Sequence, residues 1–435
     1  PVKVKKIGIM KKIISAPRGT TDILPEEAIL WQFMENEARR QFFSYGYQEI
    51  RTPMFEETEL FARSMGQTSD IVQKQMLNLA AQGVDAATDS SLSLRPEGTA
   101  AIVRSYIENN LDKRERLSKF FYIAPMFRGE RPQKGRLRQF HQIGVEAIGP
   151  DSTSPYLDAE IISLSVLLLQ KLGVNDFILK LNTLGTIEDK NNFSQYLRKQ
   201  IGSRVSDLCP DCQNRYERNV FRVLDCKNKS CKEIVKDLEL NYSYLSETSR
   251  RYYESVKAAL DSLGIVYHQQ PDLVRGLDYY THTVFELSCN RLGSQDALGA
   301  GGRYNHLVQE LGGPEVGAVG FALGMERIIL ARPPEEIPKS KIQVYVIALG
   351  ERFFPRAFQL LQLLRENKIA ADMNFSDAGL KSQMRQANKS GADFVMMIGE
   401  EEFINGMATV KNMSNGSQEQ ISLDKIQDFI NERKA

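Results

Sequence analysis

Long hydrophobic runs are absent from this sequence. No stretch of about 18 or more apolar residues occurs, so no membrane-spanning helix is expected. The apolar stretch within the basic residues 1–12 is too short for a signal peptide, and a cytoplasmic location is the simplest expectation. Internal repeats and low-complexity tracts are also missing. The 435 residues are enough for more than one domain with a sizeable core.

An excess of either charge is missing as well. The 56 lysine and arginine residues nearly balance the 55 aspartate and glutamate residues, which leaves a net charge of +1. This balance creates no global field that would attract nucleic acid, so any RNA contact must use local basic patches. Residues 128–136 form one candidate patch. Residues 113–116 form a weaker one, because a short basic run is more simply a solvated helix end.

Cysteine is scarce, with five residues in the chain. Disulfides are not expected in a cytosolic protein. Cys209, Cys212, Cys226 and Cys231 have the spacing C-x2-C-x13-C-x4-C, which could hold a tetrahedral zinc ion. The alternative is a set of reduced thiols in a small insertion. The sequence does not decide between the two, so no metal ligand is assigned, and Cys289 is interpreted as a core thiol on a strand.

Residues 120–149 form the most informative stretch that is present. Residues 120–127 are aromatic and apolar, as a buried strand should be, and residues 138–148 alternate between polar and apolar. The loop between them, residues 128–136, is too charged to be buried. The pattern predicts a long antiparallel hairpin with a cationic tip and a polar face.

That polar face has the composition of a binding surface. Phe140, Gln142 and Glu146 fall on it, and Gly144 lies between the last two. A glycine inside a strand often marks the close approach of a ligand or of another backbone. Arg128 stands where the first strand ends, a frequent position for a functional side chain. An ordinary, half-solvated hairpin remains the alternative.

Residues 92–108 predict a short strand, a turn and then a helix, with Glu97 at the turn. Such a junction presents free backbone N–H groups together with the carboxylate. Glu97 could contact a ligand or only complement the helix dipole, and the residues alone favour the second role. Apolar spacing over residues 25–45 predicts a further helix, for which Pro25 suits the first turn.

The remaining chain falls into two parts. Residues 150–265 interrupt the strand-rich pattern with mainly helical segments and are interpreted as an insertion, after which a strand returns at 283–288. The proline-rich residues 331–338 indicate a linker. A strand at 342–349 and a helix at 353–366 then begin an alternating pattern, which predicts a compact α/β domain.

Four blocks resemble the histidyl-tRNA synthetase family of the class II aminoacyl-tRNA synthetases, and they occur in the right order. One block alone would be a hint, whereas together they are a specific signal over residues 17–331. The blocks are PRGTTD (17–22) with GYQEIRTP (46–53), similar to the motif 1 region; FRGERPQKGRLRQFHQ (127–142), similar to motif 2; RGLDYY (275–280), found chiefly in the histidine enzymes; and GAGGRY (299–304) with AVGFALGMER (318–327), similar to their second specific block and motif 3.

The resemblance implies an α+β fold. A class II catalytic domain built on an antiparallel sheet is expected over residues 1–330, with the helical insertion at about 150–265. A linker at 331–340 would lead to a C-terminal α/β anticodon-binding domain at 341–435. The implied enzyme is a homodimer that activates histidine with ATP and transfers it to the 3′-terminal adenosine of histidine tRNA. Mg²⁺ would bridge the phosphates of ATP rather than sit in a protein cage.

Arginine suits ATP chemistry because it stays cationic and can bind phosphate with two hydrogen bonds. By the resemblance, Arg128 contacts the α-phosphate and Arg327, at the start of an apolar helix, meets the γ-phosphate. Glu130 lies at the adenine, and Arg136 is a weaker candidate for the ATP site. Arg275, placed in a strand-like block, stabilises the charge that develops at the reaction centre.

Selecting histidine requires polar groups for both imidazole nitrogens and for the α-ammonium. The resemblance assigns these contacts to seven residues besides Arg275: Glu146, Tyr280 and Tyr279 at the imidazole, Glu97, Thr99 and Gln142 at the α-amino end, and Tyr304, which closes the pocket. Gly301 and Gly302, just before Tyr304, are expected to permit close approach of the backbone to the ligand.

Two other functions are less consistent with the sequence than that of a synthetase. A regulatory, non-catalytic paralogue of histidine biosynthesis would generally lack the C-terminal domain and parts of the arginine and RGLDYY set, and this chain keeps both. A sister synthetase for another amino acid is disfavoured by Glu146 and by residues 275–280.

Overall fold

The computed structural model describes residues 14–66, 69–80, 91–333 and 342–426. The expectation for residues 1–12 and most of the expected linker lie outside these ranges. The chain divides into two compact units, Pro1–Glu336 and Ile337–Ala435. Across the described ranges, every helix is too short or too polar to cross a bilayer.

Helices make up much of both units. The α-helices are α1 (Pro25–Ser44), α2 (Thr58–Met65), α3 (Thr99–Glu108), α4 (Pro155–Lys171), α5 (Ile187–Ile201), α6 (Pro210–Arg218), α7 (Phe221–Leu224), α8 (Lys229–Lys236), α9 (Glu247–Ser262), α10 (Leu307–Glu310), α11 (Met325–Ala331), α12 (Phe354–Glu366), α13 (Leu380–Ser390) and α14 (Glu400–Asn405).

The strands form three sheets. They are β1 (Gln48–Glu49), β2 (Phe55–Glu57), β3 (Leu77–Asn78), β4 (Leu92–Leu94), β5 (Ser118–Phe127), β6 (Gln139–Gly149), β7 (Ile178–Thr183), β8 (His268–Gln269), β9 (Thr281–Ser288), β10 (Ala297–Arg303), β11 (Gly317–Gly324), β12 (Val344–Ala348), β13 (Ala371–Met373), β14 (Phe394–Ile398), β15 (Met407–Asn412) and β16 (Gln418–Ser422).

The first unit is built on an eight-stranded sheet with the order β1-β5-β6-β11-β10-β9-β7-β8. Its inner pairs are antiparallel, and parallel pairs occur only at its two edges, β1 with β5 and β7 with β8. The predicted hairpin is present as β5 and β6, in a register that pairs Phe120 with Glu146 and Phe127 with Gln139. A small sheet, β2-β4-β3, stands apart from it.

Helices α1, α4 and α9 belong to the core of the large sheet. Helix α1 buries Trp31, Met34, Ala38 and Phe42, which recur at the three- and four-residue spacing of one helix face. Pro25 occupies its first turn, where a missing N–H group costs nothing. The core therefore lies between these helices and the alternating apolar side chains of β6, β11, β10, β9 and β7.

An ion pair is enclosed in this packing. Arg303 at the end of β10 and Asp158 of α4 are 1% and 0% exposed, and the guanidinium donates to the carboxylate through two nitrogens. Arg303 also donates to Asn305 at 3.1 Å. Removing one partner of such a buried pair typically costs about 3–5 kcal/mol, because it strands the other charge. The pair fixes the end of β10 against α4.

Two expectations about this unit are wrong. The helical insertion is smaller than residues 150–265, because β7 pairs with β9 inside the main sheet and α4 packs on it. Between β7 and α9 only α5–α8 and short turns are inserted. The block at residues 275–280 is not strand-like either: it is a loop of bends and turns that leads into β9.

The second unit has a five-stranded sheet with the order β13-β12-β14-β15-β16. Strand β12 is parallel to both β13 and β14, and the pairs β14–β15 and β15–β16 are antiparallel. Helix α12 lies in the core formed with β12, whereas α13 packs Ala387 in a second cluster with Tyr345 and Ile347. The unit is therefore an α/β arrangement with helices connecting parallel strands.

Candidate active site

A cavity of about 230 Å³ lies over the centre of the large sheet, where β6, β11 and β10 run side by side. The turn before α3, the tip of the β5–β6 hairpin, the loop before β9 and the start of α11 complete its walls. All of the residues assigned to ATP or histidine line it. They are Glu97, Thr99, Arg128, Glu130, Arg136, Gln142, Glu146, Arg275, Tyr279, Tyr280, Tyr304 and Arg327.

Glu146 is a buried carboxyl group that hydroxyl groups contact. The Thr99 hydroxyl donates to its Oε1 at 2.7 Å, and the Tyr304 hydroxyl donates to its Oε2. It is 1% exposed, and burial raises its pKa to about 8 in spite of these donors. Gly320 faces it across the β6–β11 pair, where any side chain would collide with the carboxylate. Glu146 therefore favours a proton at neutral pH and can share it with a basic group of a ligand.

Glu97 complements the dipole at the start of α3, the role that the sequence pattern alone favoured. Its two carboxylate oxygens accept from the backbone N–H groups of Thr99 and Ala100, at 2.7 and 2.8 Å, at the start of α3. Burial raises its pKa, although these hydrogen bonds and Arg128 act in the other direction. Because each oxygen has a second lone pair, this cap does not prevent contact with a ligand ammonium.

Gln142 offers an unused acceptor to the cavity. Its Oε1 atom is buried and has no hydrogen-bond partner among the described residues. An unsatisfied buried acceptor typically costs about 1–3 kcal/mol, so a ligand that donates to it recovers this free energy. The α-ammonium of an amino acid is a donor of the required kind.

Aromatic rings form the wall beside Glu146. The ring centroids of Tyr279 and Tyr280 are 4.7 Å apart, and those of Tyr279 and Tyr304 are 5.5 Å apart. The expected role of Gly301 and Gly302 is wrong. A side chain at Gly302 would collide with the Tyr280 ring and the carbonyl oxygen of Thr283, and one at Gly301 would collide with the Phe285 ring and the carbonyl oxygen of Gly320. The space that these glycines leave is therefore filled by other protein groups and not by the ligand.

Tyr122 is a residue that the sequence reasoning missed. It pairs with Gly144 across the hairpin, and its ring occupies the space that a side chain at Gly98 or Gly144 would need. The neighbour that Gly144 admits is therefore an aromatic ring. The Tyr122 hydroxyl is buried without a hydrogen-bond partner in the described part of the chain, and burial followed by Glu146 raises its pKa. The hairpin register could have identified this pair in the sequence.

Arg128 is held by two contacts at the end of β5. Its Nε donates to the carbonyl oxygen of Pro96 at 3.0 Å, and its guanidinium lies 5.0 Å from the centroid of the Phe140 ring. Burial lowers its pKa, and the neighbouring Arg136 and Arg327 add to this effect. The charges of Glu130 and Glu97 act in the other direction, so the guanidinium is fixed in place among groups of both signs.

Arg327 connects the helix start to the hairpin tip. It lies in the first turn of α11, and it donates to the carbonyl oxygens of Gly135 at 3.1 Å and Ala297 at 2.6 Å. Burial and then the charge of Arg136 lower its pKa. Arg136 forms an ion pair with Glu130. We call Arg128, Arg136 and Arg327 the arginine cluster. The carboxylate of Glu130 neutralises part of its charge. The remaining positive charge suits a polyanionic ligand.

Arg275 lies apart from this cluster. Its Nη1 donates to Glu286 of β9 at 2.5 Å, and Lys180 of β7 contacts the same carboxylate at 3.0 Å. Arg275 and then the Lys180 hydrogen bond oppose burial and keep the pKa of Glu286 below its usual value. Sequence reasoning missed Glu286, since nothing near it in the chain indicates that β9 and the loop before it meet here.

Fold and site together define a class. An antiparallel sheet that carries a long hairpin, an arginine at the hairpin's first strand end and a second arginine at the helix after the last strand form the catalytic unit of a class II aminoacyl-tRNA synthetase.

Comparison with known proteins identifies the family. The model of the histidyl-tRNA synthetase family matches residues 19–328, and that of the anticodon binding domain matches residues 343–433. The histidine–tRNA ligases of Halothermothrix orenii and Syntrophotalea carbinolica are 45% and 44% identical, and the matches cover 95% and 97% of this chain and 98% and 99% of theirs. The apo histidyl-tRNA synthetase structure from Staphylococcus aureus is 37% identical, with a TM-score of 0.79 over 96% of this chain and 100% of that one. The chain belongs to the histidyl-tRNA synthetase family.

Glu146→Gln should remove a pH dependence from the stability of the first unit. The pKa of Glu146 is about 8 in the folded chain against a usual 4.5, so the folded chain keeps a proton that the unfolded chain releases between these values. The free energy of unfolding should fall as pH rises through this window, by up to about 1.4 kcal/mol per pH unit. The variant should lack this component.

Urea unfolding between about pH 5 and 8 measures the slope. Trp31 is the only tryptophan of the chain and is buried in α1, so its fluorescence reports on the first unit. Glu59→Gln, at a side chain that is 72% exposed, is the matched control. Equal slopes in the two variants would contradict the protonated state of Glu146.

Proposed function

We propose that the cavity is the active site of a histidine–tRNA ligase, with the residue roles given below. The observation that carries the proposal is that one cavity joins the arginine cluster to two buried carboxyl groups, Glu97 and Glu146. The arginine cluster fits the polyphosphate of ATP. The two carboxyl groups fit an amino acid that has an ammonium group and a basic ring. Near-complete relatives are histidine–tRNA ligases, which favours the synthetase over a regulatory paralogue.

In the first step, a histidine carboxylate oxygen attacks the α-phosphorus of ATP, and the bond to the pyrophosphate breaks. Arg128 contacts the α-phosphate, where its stacking on Phe140 and its contact with Pro96 fix the guanidinium before ATP arrives. Arg327 holds the γ-phosphate at the start of α11. Glu130 and Arg136, paired at the hairpin tip, lie beside the adenine.

Mg²⁺ belongs to the ATP complex in this proposal. The carboxylates nearest the arginine cluster already have partners, since Glu130 pairs with Arg136 and Glu326 accepts from His141 at 3.0 Å. The described residues therefore fit an ion that phosphate oxygens hold, and not a protein cage. Bound there, Mg²⁺ would neutralise negative charge on the polyphosphate.

Histidine is read by groups at the other end of the cavity. Glu146 and Tyr280 hold the imidazole, and Tyr279 and Tyr304 enclose it. Glu97, Thr99 and Gln142 hold the α-amino end, where the unused Oε1 of Gln142 supports the assignment. Arg275 stabilises the charge at the reacting carboxylate and α-phosphate. In the second step, the hydroxyl of the terminal adenosine of the tRNA attacks the activated carbonyl and AMP leaves.

The tRNA and a second copy of the chain are the proposed macromolecular partners. Residues 343–433 match the anticodon binding domain, so we assign tRNA anticodon recognition to the second unit. Apolar side chains of the motif 1-like region are exposed in the single chain: Leu24, Phe33, Phe43, Met54 and Phe55. A homodimer interface would cover them. The reaction places the enzyme where its tRNA is used in translation, in the cytoplasm.

Arg275→Ala should lower the rate of histidine-dependent ATP–pyrophosphate exchange by about 10²-fold, on the scale of about 3 kcal/mol for one lost charge stabiliser. Glu286 keeps Lys180 as a partner, so the fold should survive. Arg116→Ala, an exposed ion-paired arginine, is the control. Exchange near the wild-type rate in a folded Arg275→Ala protein would reject the catalytic assignment.

Glu146→Gln should raise the KM for histidine strongly and leave the KM for ATP nearly unchanged, because one partner of the imidazole is replaced by a weaker one. Steady-state pyrophosphate exchange with each substrate varied in turn separates the two. Arg136→Gln at the hairpin tip should show the opposite pattern. An equal loss for both substrates in Glu146→Gln would indicate a general distortion of the sheet.

Truncation after Pro333 should preserve much of the histidine-dependent pyrophosphate exchange and cripple charging at low tRNA concentration. The cut leaves Arg332 in place, whose guanidinium lies 5.4 Å from the Phe33 ring. Charging by the full chain should also weaken as salt rises, since a nearly neutral protein must use local contacts. An unchanged KM for tRNA in the truncated protein would exclude anticodon binding by the second unit.

A further inference from the structure

The four cysteines at the inserted helices converge. Cys209 directly precedes α6 and Cys212 lies in its first turn, whereas Cys226 follows α7 and Cys231 lies in the first turn of α8. Their sulfur atoms all lie within 4.8 Å of one another, and those of Cys209 and Cys226 are 3.9 Å apart. We call these four residues the cysteine cluster. All four are free thiols, so no disulfide explains their proximity.

The spacing of the sulfur atoms fits a tetrahedral ion. Four thiolates at a zinc–sulfur distance of about 2.3 Å lie about 3.8 Å from one another. A disulfide would need a separation of about 2.0 Å. Three of the cysteines are buried and Cys209 is half-buried, which leaves little room for water at an ion between them.

Hydrogen-bond donors surround the sulfur atoms. The backbone N–H of Cys209 donates to the Cys231 sulfur at 3.2 Å, and that of Asn228 donates to the Cys226 sulfur at 3.4 Å. The Arg215 guanidinium contacts Cys212. Four thiolates around one dication leave a net charge of about −2, and these donors would offset it. The surroundings therefore suit metal-bound thiolates better than neutral thiols.

We propose that Cys209, Cys212, Cys226 and Cys231 bind one Zn²⁺ ion as a closed, structural site. Four protein ligands complete the tetrahedron and leave no open position for substrate. The site also explains how such short helices hold together. Helices α6, α7 and α8 have 9, 4 and 8 residues, lengths at which helices are not stable alone.

The ion would act on the active site through the loop of residues 275–280. Asn219, in the segment between Cys212 and Cys226, donates to Asp278 at 3.0 Å. The Nη1 atom of Arg222 lies 3.3 Å from the position that a Cβ at Gly276 would take. Arg215 pairs with Asp70, next to the cavity residue Ile71. The zinc site is thus a positioning element for the loop that carries Arg275, Tyr279 and Tyr280, a link that rests on the proposed function.

Metal analysis of the full-length protein, dialysed with a weak chelator, tests the ion itself. We expect one zinc per chain, lost in Cys226→Ser and in Cys231→Ser and kept in Cys289→Ser, the buried cysteine outside the cluster. Replacement by Co²⁺ should give the intense visible absorption of a tetrahedral thiolate site. A metal-free chain with four titratable thiols, a disulfide within the cluster, or iron in place of zinc would each overturn the proposal.

Asn219→Ala tests the link to the active site without touching a ligand. The variant should keep its zinc, raise the KM for histidine several-fold and leave the KM for ATP nearly unchanged, as expected from one lost hydrogen bond. Ser206→Ala, on an exposed turn of the same insertion, is the control. Zinc with an unchanged KM for histidine would overturn the link alone. Absence of histidine-dependent exchange in the wild-type chain would reject the proposed function and leave the metal result standing.

Discussion

The burial of Glu146 is the constraint on which the catalytic unit depends. A carboxyl group in the middle of a sheet is costly unless its oxygens have donors. Here the donors come from two other elements, Thr99 at the start of α3 and Tyr304 after β10. Gly320 on the adjacent strand β11 leaves the space in which the carboxylate lies. The order β6-β11-β10 and the approach of α3 therefore satisfy one buried group, and a slip of one residue in register would turn Glu146 to the other face.

The second constraint is electrostatic, because one cavity holds both the arginine cluster and two buried carboxyl groups. Burial lowers the pKa values of Arg128 and Arg327, and burial raises those of the carboxyl groups of Glu97 and Glu146. Arg128 is fixed by the neutral groups of Pro96 and Phe140, and Arg327 by the carbonyl oxygens of Gly135 and Ala297. The cavity thus combines guanidinium groups with two buried carboxyl groups that favour a proton or a cationic partner, a combination that suits a ligand with phosphates at one end and basic groups at the other.

Local pattern in the sequence was enough for the elements whose signals lie close together in the chain. The hairpin, α1 and α11 were predicted because alternation, helix spacing and Pro25 are local signals. Long-range pairing was not visible. Strand β7 lies among helices in the sequence and joins the sheet only through β9, which begins almost a hundred residues later. The meeting of Glu286 with Arg275 and the aromatic neighbours of Gly301 and Gly302 also depend on how β9 and β10 pair, whereas the pairing of Tyr122 with Gly144 was accessible from the register of the predicted hairpin.

The loop of residues 275–280 lines the cavity and is supported by an insertion outside the sheet. Lys190 of α5 donates to the carbonyl oxygens of Asp278 and Tyr280 at 3.0 and 2.8 Å, and Asn219 holds the Asp278 side chain. Arg128 and Arg327 of the arginine cluster are fixed by the hairpin, β10 and the turn before α3 instead. Because the two sets of supports share no residue, changes in the inserted helices can alter the loop of residues 275–280, which we propose contacts histidine, while the arginine cluster, which we propose binds ATP, stays the same.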